Sequence, residues 1–359
     1  MLLLFAGALA VFILYAGLIG WGWWRGRQEA AALNSDETPP ISVVVAARNE
    51  ANNLPDLLEA LDEQTHPSHE VVIVDDASTD DTASIAESWA ADRAHATLVR
   101  VTDPNPPRKK HALARGIDAA THDLLAFTDA DCRPSPDWLS VLAAGHASTN
   151  EDCIIVGYSP LQGAGLLGYF ARYETLIAGI YTVAALGWGR PFMAVGRNLS
   201  YPRSVFEAVD GFSSVDESMS GDDDLFVQTV HQQEAAPVRA LLDPRSYVPT
   251  DAPTSWREWL RQRRRHVSAG RHYGWDVGVH LTLLHASIVV LWFAPFFLGK
   301  VGIGILATGL LARHSYLGPG ADQFDETDLL AVFPLWELGY ALYHLTVVPW
   351  GLLRPPEQW

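Results

Sequence analysis

Acidic side chains follow a predicted β-strand at the point where the strand ends. Asp129 and Asp131 flank a single alanine directly after the apolar run 124–128. Two carboxylates at this spacing can face one divalent cation, because Mg²⁺ or Mn²⁺ binds one or two carboxylates and completes its shell with substrate phosphates. The same pattern is also typical of a solvated turn or a helix cap. The pair is therefore a candidate cation site that needs support from the rest of the chain.

A second acid pair ends another predicted strand. Asp75 and Asp76 follow the apolar run 70–74, and a Ser-Thr-Asp sequence then opens a predicted helix. One of these carboxylates could accept a hydrogen bond from a nucleotide base. Helix capping alone would also explain acids at this position.

Three consecutive acids, 222–224, precede the amphipathic segment 225–231. Carboxylates are favourable at a helix N-terminus, which explains them without any chemistry. Adjacent like charges also raise the pKa of one carboxyl, toward the range that a general base needs.

A basic sequence, Gln262-Arg-Arg-Arg-His266, follows the polar part of the chain. Arginine binds a diphosphate through bidentate geometry, so one guanidinium here could contact such a ligand. A juxtamembrane basic patch on anionic lipid is the other interpretation.

The elements that must position these residues alternate in type. Short apolar runs and segments with apolar residues at helical spacing follow each other from residue 41 to 158, which predicts an α/β fold with a mostly parallel sheet. Ligands of such sheets bind at the carboxyl ends of the strands. The predicted strands are 41–47, 70–74, 97–101, 124–128 and 154–158, and the predicted helices are 53–64, 78–93 and 110–120.

Apolar stretches at both ends predict membrane helices. Residues 2–24 carry no charge and are long enough to span a bilayer, and Arg25 and Arg27 follow them. By the positive-inside rule these arginines, and those of 257–271, place the polar part in the cytoplasm. The candidate spans near the C-terminus are 277–298, 301–312 and 329–353, so that we expect two or three spans there.

Charge and cysteine content exclude several classes of protein. The 359 residues carry 25 Lys and Arg against 42 Asp and Glu, a net charge of −17, whereas a nucleic-acid-binding protein presents a basic face. The two cysteines, Cys132 and Cys153, exclude a disulfide framework and a four-cysteine zinc site. No nucleic-acid partner is expected.

Seven segments in this order resemble the membrane-bound family-2 inverting glycosyltransferases, such as cellulose synthase, poly-N-acetylglucosamine synthase and ceramide glucosyltransferase. The resemblance extends over about residues 40–272 and implies a GT-A fold. The segments are VVVAARNEANNLPDLLEALDEQT, VVIVDDASTDDT, RKKHALARGIDAA, FTDADCRPSPDWL, VGRNLSYPRSVFEAVDGF, GDDDL and QRRRH.

The resemblance implies a donor side. Asp76 should contact the base of a nucleotide sugar, and Lys110 should lie near the nucleotide or its phosphates. Gln262 and Arg265 should close over the diphosphate. Asp131 should bind the bridging Mg²⁺ or Mn²⁺, with Asp129 supporting the cation and the sugar.

The resemblance also implies an acceptor side. Asp222 or Asp223 should deprotonate the acceptor hydroxyl, and the motif leaves open which of the two does so. Asn198 should line the acceptor side. His266 stands there in place of the family's tryptophan, which faces the acceptor in polymerising members, so a processive synthase is disfavoured.

We therefore expect a metal-dependent hexosyltransferase that moves a sugar from a nucleotide sugar, with a UDP-sugar as the expected donor, to a lipid or lipid-linked acceptor at the inner leaflet of the membrane. The alternatives are a processive polysaccharide synthase or an inactive scaffold that binds nucleotide or lipid. A nucleotidyltransferase would need a glycine-rich loop near the first strand, and AARNEANN has none. The predicted segments are an anchor 1–25, a linker 26–40, a cytoplasmic GT-A domain 41–250, a juxtamembrane segment 251–275 and transmembrane helices in 276–355.

Overall fold

The structure, a computed structural model, describes residues 1–31, 35–103, 105–216, 218 and 220–354. The chain divides into two compact units. The sheet unit comprises Gly26–Pro160 and Gly189–Asp251, and the helical unit comprises Met1–Arg25, Leu161–Trp188 and the described residues from Ala252 onward. Residues 32–34 of the predicted linker lie outside the described part. The segment 161–188, which the sequence analysis includes in the domain 41–250, belongs to the helical unit.

Nine β-strands occur in the described residues, and seven of them form one sheet in the sheet unit. Its order is β3-β2-β1-β4-β7-β5-β8. The strands are β1 Ile41–Ala47, β2 His69–Asp75, β3 Ala96–Arg100, β4 Leu124–Phe127, β5 Ile154–Gly157, β6 Leu161–Gln162, β7 Leu199–Pro202, β8 Val238–Leu241 and β9 Thr250–Asp251. Only β7 pairs antiparallel within the sheet, with β4 and with β5. The prediction of a mostly parallel α/β sheet is confirmed.

Helices pack on this sheet and also build the second unit. The α-helices are α1 Leu2–Ala31, α2 Leu54–Asp62, α3 Thr82–Ala91, α4 Arg108–Ala119, α5 Trp138–Ala147, α6 Gly165–Gly187, α7 Arg203–Ala208, α8 Asp224–Gln232, α9 Trp256–Ala269, α10 Trp275–Leu298, α11 Lys300–Gln323 and α12 Phe333–Leu353. Helix α1 extends six residues beyond the predicted end of the anchor at residue 25.

The sheet is covered on both faces, as a parallel sheet requires. Val43 and Val45 of β1 belong to one buried core with residues of α2 and α5. On the opposite face α4 packs against β1 and β2. Gly116 permits this close approach, since a Cβ there would lie 2.4 Å from Cγ1 of Val44 and 2.9 Å from Cγ2 of Val74.

The loops that follow β1 and β2 are joined by hydrogen bonds. The Asn49 Oδ1 atom accepts from the Thr79 amide at 2.8 Å, and the Asn49 amide donates to Ser78 Oγ at 3.0 Å. The Glu50 amide donates to Thr82 Oγ1 at 2.8 Å. Ala77 adopts a left-handed backbone with φ of 51°, a conformation that non-glycine residues keep only where surrounding contacts hold it. The two loops therefore form one fixed edge above the sheet.

Two helices among the described residues are long and apolar enough to cross a membrane. They are α1 and α10, with mean hydropathies of 2.6 and 2.0. The other predicted C-terminal spans form α11 and α12, but these two helices do not reach that hydropathy. The expectation of two or three C-terminal spans is therefore not supported, because polar side chains such as Arg313 and Glu337 interrupt both helices.

Buried carboxylates of the helical unit are paired with arginines. Arg313 of α11 donates from Nε to Glu337 of α12 at 2.8 Å, and its side chain is 0% exposed. Arg172 of α6 binds Glu326 at 2.6 Å and Asp328 at 2.8 Å, both in the acidic connection between α11 and α12. These pairs fix helices to one another, because removing one partner would leave a buried charge uncompensated.

Gly116→Ala tests the close contact between α4 and the sheet. We expect a net loss of about 1–3 kcal/mol in the free energy of unfolding, because the added methyl meets Val44 in a strand that cannot move. The gain in helix propensity from replacing glycine is smaller. The measurement is chemical denaturation followed by intrinsic fluorescence. Arg115→Ala, at the exposed neighbouring position of α4, is the control, and an unchanged or increased stability of Gly116→Ala would contradict the packing argument.

Candidate active site

Acidic residues from two separate parts of the sheet unit meet at the carboxyl edge of the sheet. Asp129 and Asp131 follow β4, and Asp222 and Asp223 precede α8. The N-terminal turn of α4 brings the ammonium of Lys109 among them. Its Nζ lies 3.0 Å from Asp129 Oδ1 and 3.0 Å from Asp222 Oδ2. One lysine thus joins the acid after β4 to the acid before α8.

The charges around Lys109 hold it firmly protonated. Burial by itself would lower the pKa of Lys109, but the charges of Asp129, Asp222 and Asp223 outweigh this effect and raise the pKa well above its usual value. Lys109 therefore acts as a permanent cation at this edge. It offsets the repulsion that three nearby carboxylates would otherwise exert on one another.

Backbone amides hold the acid run before α8. Asp223 caps α8, since its Oδ1 accepts from the Asp224 amide at 2.7 Å and its Oδ2 accepts from the Gly196 amide at 3.0 Å. Asp224 accepts from the Ala194 amide at 2.9 Å. Both bonds tie the acid run to the segment 194–196. A Cβ on Gly196 would lie 3.3 Å from Asp223 and 3.4 Å from Asp222, so this glycine keeps the two carboxylates close to the backbone.

Asp222 and Asp223 differ in what their oxygens contact. Both oxygens of Asp223 accept from backbone amides, and burial together with the charge of Asp222 raises its pKa. Asp222 is 8% exposed, and its Oδ2 forms an ion pair with the ammonium of Lys109. An oxygen paired with a lysine can be released to a substrate more readily than one fixed between amides.

Arg197 and Glu50, which were not among the predicted site residues, contribute charge at the same edge. Burial raises the pKa of Asp131, the charge of Asp129 raises it further, and the charge of Arg197 opposes this. Arg197 donates from Nε to Ser159 Oγ at 2.6 Å. Burial also raises the pKa of Glu50, and the charges of Asp131 and Asp129 contribute to that shift. The sequence signal for Glu50 is its place directly after β1, in the Arg-Asn-Glu sequence.

Asp76 lies at the end of β2 with a cationic partner. The Nε atom of Arg108 contacts Asp76 Oδ2 at 3.0 Å, and Arg108 Nη2 donates to the Asp76 carbonyl at 2.8 Å. The Asp76 side chain is 6% exposed. Arg108 and Lys109 are adjacent in the first turn of α4, so this single turn neutralises acids from both β2 and β4.

Lys110 points elsewhere. Its ammonium donates to the carbonyls of Val215 at 2.5 Å and Ser218 at 2.8 Å, and burial lowers its pKa. The structure thus favours Lys109 over Lys110 as the cation at the acidic edge. The motif itself carried this signal, because Lys-x-x-Ala-Leu counted back from Ala112 and Leu113 begins at Lys109.

Asn198 is fully buried and supports the backbone. Its Nδ2 donates to the carbonyls of Tyr158 and Ser246, each at 2.8 Å, and its Oδ1 accepts from Trp138 Nε1 at 3.0 Å. The side-chain amide of Asn198 is therefore hydrogen-bonded to other groups of the protein through both Nδ2 and Oδ1. The role of Asn198 on the acceptor side stays a prediction, and the contacts observed for its side chain are those of a buried residue that holds the surrounding backbone.

Gln262, Arg265 and His266 lie on α9 in the helical unit. Their roles toward a diphosphate or an acceptor stay predictions. Glu174 contacts the same helix, because its Oε2 accepts from Trp259 Nε1 at 2.7 Å.

A divalent cation fits the acids after β4 only together with further ligands. Among the described residues, no group of three or more His, Cys, Asp or Glu side chains is arranged to hold a metal ion alone. Burial raises the pKa of Asp131, and repulsion from the charge of Asp129 raises it further. A cation would relieve this repulsion. Two carboxylates match the Mg²⁺ sites that substrate phosphates complete.

Comparison with known proteins relates part of the chain, including Asp76, Lys109, Asp129 and Asp131, to a known family. Residues 42–208, just under half of the chain, match the family described as Glycosyl transferase family 2. The chain carries a family-2 glycosyltransferase domain. The probable glycosyltransferase YdaM of Bacillus subtilis (strain 168) is 25% identical over 241 residues, which are 65% of this chain and 55% of that protein.

A second relative matches a shorter part of the family-2 domain. The 4,4'-diaponeurosporenoate glycosyltransferase of Staphylococcus aureus (strain USA300) is 33% identical over 110 residues, 30% of this chain and 28% of that protein. The chain thus spans about half or less of the length of these two relatives.

A solved structure supports the GT-A fold. The mannosyltransferase PcManGT from Pyrobaculum calidifontis, in complex with GDP-Man and Mn2+, superposes with a TM-score of 0.59 at 22% identity. The alignment covers 98% of this chain and 100% of that one. At this identity the likeness concerns the fold.

Asn198→Ala distinguishes a scaffold from an acceptor contact. We expect the free energy of unfolding to fall by about 2–4 kcal/mol, because two buried carbonyls and the Trp138 N–H lose their partner. Thermal unfolding of the purified protein measures the effect, and Asn52→Ala at an exposed position is the control. A variant with unchanged stability would contradict the scaffold role.

Proposed function

We propose that this protein is an inverting glycosyltransferase that moves a sugar from a nucleotide-sugar donor to a hydroxyl of the acceptor. The family-2 domain supports the class of reaction. The observation that carries the assignment of residues is the double ion pair of Lys109. It joins Asp129, on the side proposed for the donor, to Asp222, the proposed base.

The proposed reaction is one displacement at the anomeric carbon. The acceptor oxygen forms a bond to that carbon while the bond to the nucleoside diphosphate breaks, and Asp222 takes the acceptor proton. Asp223 positions the loop through its two amide contacts and does not take the proton. Lys109 moves from Asp222 toward the negative charge that develops on the leaving group, which frees the base as the charge forms.

Other residues complete the donor side of this proposal. Asp76 contacts the nucleotide base, and Gln262 and Arg265 contact the diphosphate, as the family resemblance implies. Asp131 and Asp129 would hold Mg²⁺ or Mn²⁺, which when bound stabilises charge on the diphosphate. The Mn2+ in the structure of the mannosyltransferase PcManGT is consistent with this choice.

We further propose a lipid or lipid-linked acceptor and attachment to the inner membrane with the sheet unit in the cytoplasm. Support comes from the apolar helices α1 and α10 and from the arginines that adjoin both of them. A single transfer is proposed instead of polymer synthesis, because His266 replaces the tryptophan of polymerising members.

Nucleotide release tests the proposal directly. Detergent-purified protein is offered UDP- and GDP-sugars with Mn²⁺ or Mg²⁺, with and without membrane lipid extract. One donor is expected to give metal-dependent release that chelator abolishes. Asp222→Asn should lower the rate by about 10²–10⁴-fold, as loss of a general base does, and Asp131→Asn should abolish release. Asp118→Asn on the exposed side of α4 is the control.

Three results would contradict the proposal in whole or in part. Absence of release with every donor would remove the transferase assignment. Full activity of Asp222→Asn, with Asp223→Asn inactive yet stably folded, would transfer the role of base to Asp223. Formation of a long polymer would favour the processive alternative.

The two adjacent lysines give a second test. We expect Lys109→Met to lower the rate of donor turnover by about 100-fold or more, because the carboxylates lose their shared cation. Lys110→Met should mainly lower the melting temperature, since its ammonium binds the carbonyls of Val215 and Ser218. Rates are compared per folded molecule, with thermal unfolding measured in parallel. Inactivity of folded Lys110→Met beside active Lys109→Met would reverse the assignment.

A further inference from the structure

Helix α9 is fixed on one side and exposed on the other. Trp259 is 5% exposed and donates to Glu174 of α6 at 2.7 Å, and Arg263, one turn later, lies 3.4 Å from the same carboxylate. Arg264 stacks over Trp350 of α12 at 4.1 Å and donates to the Arg354 carbonyl. These contacts set the rotation of α9 about its axis.

The opposite side of α9 presents guanidinium groups to solvent. Arg257 and Arg261 each lie two residues from Trp259, which at about 100° per residue puts them some 200° around the helix. Both are exposed, as is Arg271 in the following turn, Gly270–His272. Among the described residues these three arginines have no carboxylate or hydrogen-bond partner.

The lack of carboxylates here is notable in so acidic a chain. Residues 256–275 contain six arginines and one glutamate, Glu258, whereas the whole chain has a net charge of −17. Glu258 is used inside α9, where its amide and its carboxylate form the helix N-terminal cap with Ser255 and Thr254. The surface is therefore locally cationic and complements an anionic partner.

Exposed tryptophans lie at the starts of α9 and α10. Trp256 is 50% exposed at the start of α9, and Trp275 is 82% exposed at the start of α10. Helix α1 runs antiparallel to α10, with the rings of Phe5 and Phe297 5.9 Å apart and those of Tyr15 and His280 4.9 Å apart.

Because the two helices are antiparallel, the C-terminal end of α1 lies at the same end of the helix pair as the start of α10. It carries Trp21 and Trp24, which are 49% and 57% exposed. Exposed tryptophans at one end of two apolar helices are typical of the membrane–water interface. Arg271 lies four residues before Trp275 in the chain. Helix α9, which carries Arg257 and Arg261, ends at Ala269, shortly before α10 begins.

We propose that Arg257, Arg261 and Arg271 form a binding surface for the phosphates of anionic phospholipids. This inference rests on the proposed membrane attachment and adds to it the headgroup that the helical unit prefers. Arginine binds phosphate through paired N–H donors, and a bilayer surface presents phosphates to all three side chains at once. Gln262 and Arg265, proposed for the donor, are not part of this surface.

Tryptophan quenching by brominated lipids tests the proposal. The full chain is reconstituted in dioleoylphosphatidylcholine vesicles with rising fractions of brominated phosphatidylglycerol or brominated phosphatidylcholine. We expect stronger quenching by the anionic lipid at low salt. Each basic side chain at an anionic surface contributes a factor of about five, so Arg257→Gln/Arg261→Gln/Arg271→Gln should lower the relative affinity for phosphatidylglycerol by roughly 100-fold.

Two matched variants keep the result interpretable. Replacement of the same three arginines by lysine should retain most of the preference, because the charges remain. Arg100→Gln/Arg115→Gln/Arg245→Gln removes three exposed charges from the sheet unit and should retain it fully. Salt near 1 M, which reduces the screening length to about 3 Å, should weaken the preference of the unmodified protein.

The outcomes separate the two proposals. Equal quenching by both lipids, or a glutamine variant that keeps its preference, would overturn the lipid-binding surface while leaving membrane attachment in place. Absence of quenching by either lipid, with the protein left outside the vesicles, would overturn membrane attachment and this inference with it.

Discussion

The ion pairs of Lys109 are the constraint on which the arrangement of the acidic edge depends. Carboxylates from the turn after β4 and from the run before α8 can approach each other only if a cation lies between them. Lys109 provides it from the first turn of α4. Its position depends in turn on the close contact of α4 with β1 and β2, which Gly116 permits. A contact in the core therefore sets a distance at the site.

The acid run before α8 divides into residues with different tasks. Asp223 and Asp224 accept from backbone amides and hold the segment 194–196 beside the helix N-terminus. Asp222 instead shares Lys109 with Asp129. Three adjacent residues of one type thus differ in their contacts, and Gly221, with a left-handed φ of +87°, stands directly before them.

Charges in the helical unit serve a structural purpose first. Arg172 and Glu174 interrupt the apolar segment α6, and each is used to attach another part of the unit. Glu174 fixes one side of α9 and thereby leaves Arg257 and Arg261 on the exposed side. The carboxylate of Glu174 is buried with its partners, whereas Arg257 and Arg261 are exposed and unpaired within the described part of the chain. This arrangement is consistent with a helix that contacts a charged surface, since burying an unpaired arginine would cost several kcal/mol.

The amino-acid sequence alone was enough to predict the features that depend on local residue pattern. Alternating apolar runs and helical spacing predicted the strands β1, β2 and β4 almost to the residue, because buried parallel strands need continuous apolar runs. It also predicted acids at the ends of two strands and apolar spans at both ends of the chain, of which α1 and α10 are long and apolar enough to cross a membrane. The contacts that each neighbour of a pair makes follow from the tertiary structure. Lys109 and Lys110 differ by about 100° of helix rotation. Asp222 and Asp223 differ by which amides lie within reach, and the contacts of Asn198 come from residues far away in the chain. These contacts depend on packing between segments that are distant in the sequence, and a local sequence pattern carries no information about that packing.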